Sequence, residues 1–221
     1  MNNLDTLQWR LIRVRGVDRL SYLQGQLTQD IASAEFCYSL VLQPSGEVLS
    51  DLEVSIGDDC IELVVPDSLA EAVLARLRRF VLRVDATFED CGPAMPVGGI
   101  QTLIDEGRPS GFEWALSLPP HSYGQQVVDR AVSFTKGCFT GQELVGRADA
   151  RGATMPWRLI NGVGGGADAV SVLLQGAGPE GPQGVTSFCF RDGATHWRGV
   201  AHRSFDPSIL SSVGAELTYF A

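Results

Sequence analysis

Apolar and polar positions alternate along the chain in two rhythms, and each rhythm predicts a different kind of element. Residues 9–14, "WRLIRV", read as a strand with mixed faces, ended by Gly16. Behind Asp18, Leu20, Leu23 and Leu27 fall at spacings of three and four, which predicts a helix with one apolar stripe and the aspartate as its cap. The run "FCYSLVLQPSGEVLSDLEVSI" predicts two strands about a Pro44-Ser45-Gly46 turn. A second turn at Gly57-Asp58-Asp59 leads into "CIELVVP". Asp67 then introduces "SLAEAVLARLRRFVL", in which Leu69, Val73, Leu77 and Phe80 share one side while Arg76 and Arg79 decorate the flank of an amphipathic helix. "LRVDATFED" resumes as a strand.

The rhythm then weakens. Residues 91–124 are rich in proline and glycine and predict a connector with little regular structure. From Met155 onward, short strand patterns are split by "GVGGGAD" and "QGAGPEGPQG", which predicts a small antiparallel barrel or sandwich. The fold class expected is α+β, with residues 1–155 as one domain, 91–124 as a connector inside it, and 156–221 as a C-terminal β-barrel. "GVGGGA", residues 162–167, fits a loose G-x-G-x-x-A pattern. A dinucleotide loop must follow a parallel strand and open a helix. "VSVLLQGAG" behind it reads as strand, so a hairpin turn is the expectation.

Composition narrows the function classes. The chain has 221 residues and is 44% hydrophobic, enough for one large core or two modest ones. Seventeen basic against 26 acidic residues leave a net charge of -9, which opposes direct binding to nucleic acid or to a membrane surface. The opening "MNNLDTLQWRLIRV" lacks a basic segment followed by an apolar run, so no signal peptide is expected. No apolar run approaches the roughly 20 residues of a membrane helix. Cysteines at 37, 60, 91, 138 and 189 contain no C-x-x-C, so free thiols in a reducing cytoplasm are expected. His121, His196 and His202 are scattered, which argues against a protein-built metal site.

The densest chemistry lies in "KGCFTGQE", residues 136–143. Thr140 and Glu143 stand in the S/T-x-x-E relation of a capping box, and Leu144, Val145 and Ala148 continue as a short apolar face that Gly152 closes. Capping needs neither Lys136 nor Cys138. A cysteine ahead of a helix N-terminus with a lysine two residues away is placed to favour its thiolate. The plain alternative is a small apolar residue tucked into a turn. Gly137 and Gly141 permit positive φ or close approach of backbone to a ligand.

"KGCFTGQE" resembles the K-G-C-[FY]-x-G-Q-E signature of the YgfZ family, folate-binding iron–sulfur cluster assembly proteins related to the aminomethyltransferase T-protein of glycine cleavage. "VRGVDRLSYLQGQLTQDI", "LQPSGEVLSDL", "IDEGRP" and "VDRAVSFTKGCFTGQELVGRADARG" resemble further blocks of the same family, the third its I-E-A-G-x-P approach. The likeness covers most of residues 9–155. It implies a T-protein-like fold with a central folate pocket, binding of tetrahydrofolate or another reduced folate, and support of iron–sulfur cluster assembly or repair in client enzymes, with indirect effects on tRNA modification. By the same resemblance Lys136, Gly137, Cys138, Gly141, Gln142 and Glu143 match the signature, with Lys136 and Cys138 as candidates for any chemistry. Trp9 stands at the place of a folate-associated aromatic; an indole partly exposed at a strand start could stack on a pterin ring or equally serve the core.

Asp51 in "GEVLSDL" stands where the T-protein's G-G-x-x-D-D-L segment has its folate-contacting, catalytic aspartate, so aminomethyl transfer is one alternative reading. The plain reading of Asp51 is a solvated strand residue. Ser50 replaces the first aspartate of that segment, and the T-protein's D-V-S-H-M and G-Y-T-G-E-D-G stretches have no counterpart. A non-catalytic adaptor that docks a cluster enzyme is the other alternative. Departures from the YgfZ pattern are a short stretch at 85–107 where the family carries a longer segment, Gly98-Gly99 where a second aromatic is expected, and Phe139 and Gly146 for the usual tyrosine and alanine.

Overall fold

In the computed structural model the described residues are 2–99, 102, 105–152 and 154–220. Ile104, which opens "IDEGRP", lies outside them, as do Ile100, Gln101 and Leu103 of the connector.

The first half folds around one antiparallel sheet in the order β3-β4-β5-β2-β6, built from β2 (Trp9–Arg15), β3 (Phe36–Leu42), β4 (Val48–Ile56), β5 (Ile61–Pro66) and β6 (Thr87–Ala94). Two helices, α1 (Arg19–Gln24) and α2 (Asp67–Arg78), cover one face. Strand alternation sorts the side chains. Ile12, Leu52, Val54, Leu63 and Val65 join Leu23, Val73 and Leu77 in the core beneath the helices. The opposite face carries Tyr38, Leu40 and Leu42, which pack with Trp114, Tyr123, Val128, Phe139 and Val200. On that face β4 also places Asp51 and Glu53, both buried.

The second sheet runs β1-β8-β9-β7-β10. Its strands are β1 (Asn2–Asn3), β7 (Trp157–Gly164), β8 (Gly184–Arg191), β9 (Ala194–His202) and β10 (Ala215–Phe220). The N-terminal β1 joins it parallel to β8, and the other pairings are antiparallel. Between the sheets lie the short helices α3 (Gly111–Trp114) and α4 (Gln125–Ala131), and α5 (Gln142–Ala150) packs against the β3–β4 turn.

Several expectations change. The C-terminal sheet is open, not closed into a barrel: its edges are β1 and β10. Residues read as strand in "VSVLLQGAG" form helix α6 (Ala167–Gly176). Val170 and Leu174 are buried while Val172 is 70% exposed, a spacing of four that a helix satisfies and an alternating strand would not. The glycines before it therefore do lead from a strand into a helix. Yet β7 is antiparallel to both neighbours, and a Cβ at Gly162 would lie 2.1 Å from the Trp197 ring, so packing explains that glycine.

Arg76 is 5% exposed instead of on the flank; its Nε donates to the Leu42 carbonyl (3.1 Å) and its Nη1 to Gln26 Oε1 (3.0 Å). Phe80 lies beyond the end of α2, 40% exposed, under the guanidinium groups of Arg76 and Arg79. Asp18 makes no cap bond to α1; its carboxylate accepts from the Asp85 N–H (2.9 Å) and closes the β2–β6 end instead.

Candidate functional site

The "KGCFTGQE" loop is built as a clamp. Lys136 sends its ammonium into the C-terminal end of α1, where Nζ donates to the carbonyls of Gln24 (2.6 Å), Leu27 (2.8 Å) and Gln29 (2.9 Å). Three donors meet three acceptors, the last carbonyl of the helix and two of the segment that follows it. Burial pushes Lys136 down to about 8, and the charges of Asp30 and Cys37 act the other way. The Thr140 N–H donates to the Gly25 carbonyl (3.1 Å). Gly141 has φ 84° and seats against the β3–β4 turn: a Cβ there would lie 2.7 Å from the Gln43 carbonyl oxygen. The turn replies with Gly46, φ 99°, whose Cβ would lie 2.6 Å from Leu144. Only glycine fits either place.

The expected capping box does not form. Gly141, not Thr140, is the N-cap of α5, and it offers no side chain. Thr140 Oγ1 turns toward Gln26 Oε1 (3.4 Å), Glu143 pairs with Arg147 (2.7 Å), and Gln142 Oε1 accepts from the Phe139 N–H (3.2 Å). Lys136, Gln142 and Glu143 line an open groove of about 570 Å³ with Phe139 and Arg147. Gly137 sits in open space, and Cys138 is exposed.

A second, smaller cavity of about 210 Å³ lies between the sheets. Its walls are Tyr38 of β3, the 105–108 loop, Tyr123, Gln126 and Arg130 near and on α4, and Asn161 of β7. A neighbouring cavity of about 190 Å³ shares Asp105, Gly107 and Asn161 with it. Directly behind Tyr38 is Asp51. The Tyr38 hydroxyl donates to Asp51 Oδ2 at 2.5 Å, Arg108 Nη2 lies 3.8 Å from the same oxygen, and the guanidinium stacks 4.1 Å above the Tyr38 ring. Arg108 Nη1 also reaches Glu53 Oε1 (3.3 Å), whose other oxygen accepts from the Val97 N–H (2.7 Å).

Two carboxylates on one sheet face are thus held by one arginine. Burial pushes Asp51 up to about 6; Arg108 and the Tyr38 hydrogen bond pull it down, and Glu53 pushes it further up. Tyr38 is raised by its own burial and by the charge of Asp51. Asp51 Oδ1 and Arg108 Nε are buried and have no hydrogen-bond partner among the described residues. Such groups are uncommon in native interiors because each forfeits the hydrogen bond it had in water.

Asp51 is therefore not a solvated strand residue. Trp9 shares its sheet face through the register Glu53–Val64–Leu11, but it is 6% exposed instead of partly open, and it is not among the walls of the 210 Å³ cavity. The motif residues 136–143 are not among those walls either, and Asp51 itself stands behind them, reached through Tyr38 and Arg108. Sequence reasoning missed Tyr38, Glu53 and Arg108. One signal was present: period two in "SDLEVS" puts Asp51 and Glu53 on one apolar face, an arrangement that calls for a cation.

The fold of this pair of sheets is that of the glycine-cleavage T-proteins. The chain superposes on aminomethyltransferase T from Bartonella henselae with a TM-score of 0.56 at 14% identity, covering 88% of this chain and 76% of that one. In sequence it is similar to the YgfZ proteins, as its motif indicates. It is 24% identical over 217 residues to the tRNA-modifying protein YgfZ of Sodalis glossinidius, covering 66% of each chain, and 24% identical to that of an Enterobacter species. An uncharacterised protein of Haemophilus influenzae is 28% identical over 192 residues, 66% of this chain and 68% of that one. The chain spans about two thirds of the length of these relatives. No family model matches it.

Proposed function

We propose that this protein binds a reduced folate, with the pterin end in the cavity walled by Tyr38 and Arg108, and that binding supports assembly or repair of iron–sulfur clusters in client enzymes, through which tRNA modification is affected. The observation that carries the reading is Asp51: a buried carboxylate with one unpaired oxygen, set beside a cavity in a T-protein fold. A pterin ring presents N–H and amino groups that such an oxygen can accept from. The cavity has room for a flat bicyclic head, and the acidic tail of a folate would lie toward Arg130, half exposed at the rim in its pair with Glu106 (2.6 Å). Cys138 is exposed and outside those walls, so no contact with the folate is assigned to it.

Anaerobic calorimetric titration with tetrahydrofolate tests the reading. Saturable binding that Asp51→Asn weakens about tenfold or more is expected, the loss of a charge-assisted hydrogen bond. No binding at millimolar ligand would overturn it. One observation favours a second reading, aminomethyl transfer: a carboxyl group near 6 can hold or accept a proton at a folate amine around neutral pH. Formation of methylene-tetrahydrofolate from an aminomethylated lipoyl partner would establish that activity, and its absence with active partner proteins would remove it.

A further inference from the structure

We propose that Arg108 decides which ring the cavity accepts: its Nε–H reads an acceptor on the ligand, the carbonyl of a cyclic amide, and so selects an oxo-substituted ring over the amino-substituted counterpart. The proposal rests on the folate reading of the same cavity and names the feature of the ring that is recognised.

Arg108 forms part of the cavity wall, and its side chain is only 10% exposed. Its head group is fixed from three sides: Glu53 at Nη1, Asp51 facing Nη2, and the Tyr38 ring beneath the guanidinium plane. Of its three nitrogens, Nε is the one that is buried with no acceptor among the described residues. A guanidinium does not lose its proton at any working pH, so this position can only donate. A ring that brings a carbonyl oxygen there completes the hydrogen bonding. One that brings an amino group sets donor against donor at a buried nitrogen, and the pair is rejected. Sites that hydrogen-bond one polar group of a substrate discriminate strongly for this reason. The residue itself occupies the variable x of the I-E-A-G-x-P pattern, so the motif does not prescribe it.

The test compares tetrahydrofolate with its 4-amino analogue on the wild-type protein, on Arg108→Met, and on the double variant Glu53→Gln, Arg108→Met, which strands one fewer buried charge. The wild type is expected to prefer the oxo ring by roughly 30-fold or more. In either variant that binds, the two affinities are expected to converge within about threefold, as befits a lost donor. A purely structural arginine would lower both affinities and leave their ratio unchanged, and that result would overturn the proposal. Equal wild-type affinities overturn it as well, without any variant needing to fold. If the wild type binds neither ligand, the folate reading itself fails and this one falls with it.

Discussion

At Asp51 burial raises the carboxyl group to about 6 although Arg108 lies 3.8 Å away, so desolvation outweighs the ion pair. The folded-state value lies above the ordinary 3.8, so between about pH 4 and 6 the folded protein binds more protons than the unfolded chain and stability falls as pH rises through that window. Two pKa units correspond to about 3 kcal/mol, and Arg108 needs part of the charge, so Asp51→Asn is expected to match the parent near pH 4 and exceed it by about 1–2 kcal/mol at pH 8. Urea melts at both pH values check this; a variant less stable at pH 8 would show that Arg108 needs the whole charge. The same substitution is expected to weaken folate binding, a stability–function conflict typical of sites. Cys138 offers a separate measurement. It is exposed, whereas Cys37, Cys60 and Cys91 are half-buried and Cys189 is buried. Limiting iodoacetamide should therefore label Cys138 first, read by peptide mapping, and labelled protein should keep its folate affinity because the thiol is not in the cavity wall.

Gly46 and Gly141 join two turns that are far apart in sequence, and α5 starts where they touch. Gly141→Ala adds a Cβ at 2.7 Å from a carbonyl oxygen on a backbone with φ 84°, and a loss of about 2–4 kcal/mol is expected in thermal or urea unfolding. Gly137→Ala, in open space, is the control and should cost under about 1 kcal/mol. This contact also shows what could be read in advance. The β3–β4 strands, their Pro-Ser-Gly turn and α2 follow from local rules: alternation, turn chemistry and a three-to-four spacing. The helix at Ala167–Gly176 did not, because "VSVLLQ" supports either period and only burial of Val170 and Leu174 against the second sheet decides between them. The capping box failed for a similar reason. Thr140 had the right spacing, but tertiary packing of Gly141 on the turn moved the helix start by one residue. In the site, Asp51 was legible from its segment, while Tyr38 and Arg108, in separate stretches of the chain, meet it only through the fold.

The two sheets are tied together at Glu113, the third residue of α3, which is fully buried. One carboxylate oxygen accepts from the Ser110 N–H (2.7 Å) and hydroxyl (2.5 Å), capping its own helix. The other accepts from Thr186 (2.5 Å) and Ser187 (2.6 Å) on β8, while Arg198 of β9 lies 4.0 Å from the oxygen that Ser110 holds. Trp114, beside it, packs on Tyr123 at 4.4 Å, and Tyr123 is a wall of the cavity. The cavity draws walls from both sheets, Tyr38 from one and Asn161 from the other, so its shape depends on how the sheets are held. Glu113→Gln replaces one acceptor by a donor among four donors and should lower stability by about 2–4 kcal/mol. Hydrogen exchange should then quicken in β8 and β9 more than in β4 and β5, whose own core lies under α2. Folate affinity should fall too, although Glu113 is not a wall of the cavity, because a ligand that touches both sheets is bound only by the fraction in which they are docked. If exchange in β8 rises while affinity stays at the parent value, the cavity is held by the apolar cluster of Tyr38, Trp114, Tyr123 and Val200 alone, and the Glu113 contact serves the second sheet only.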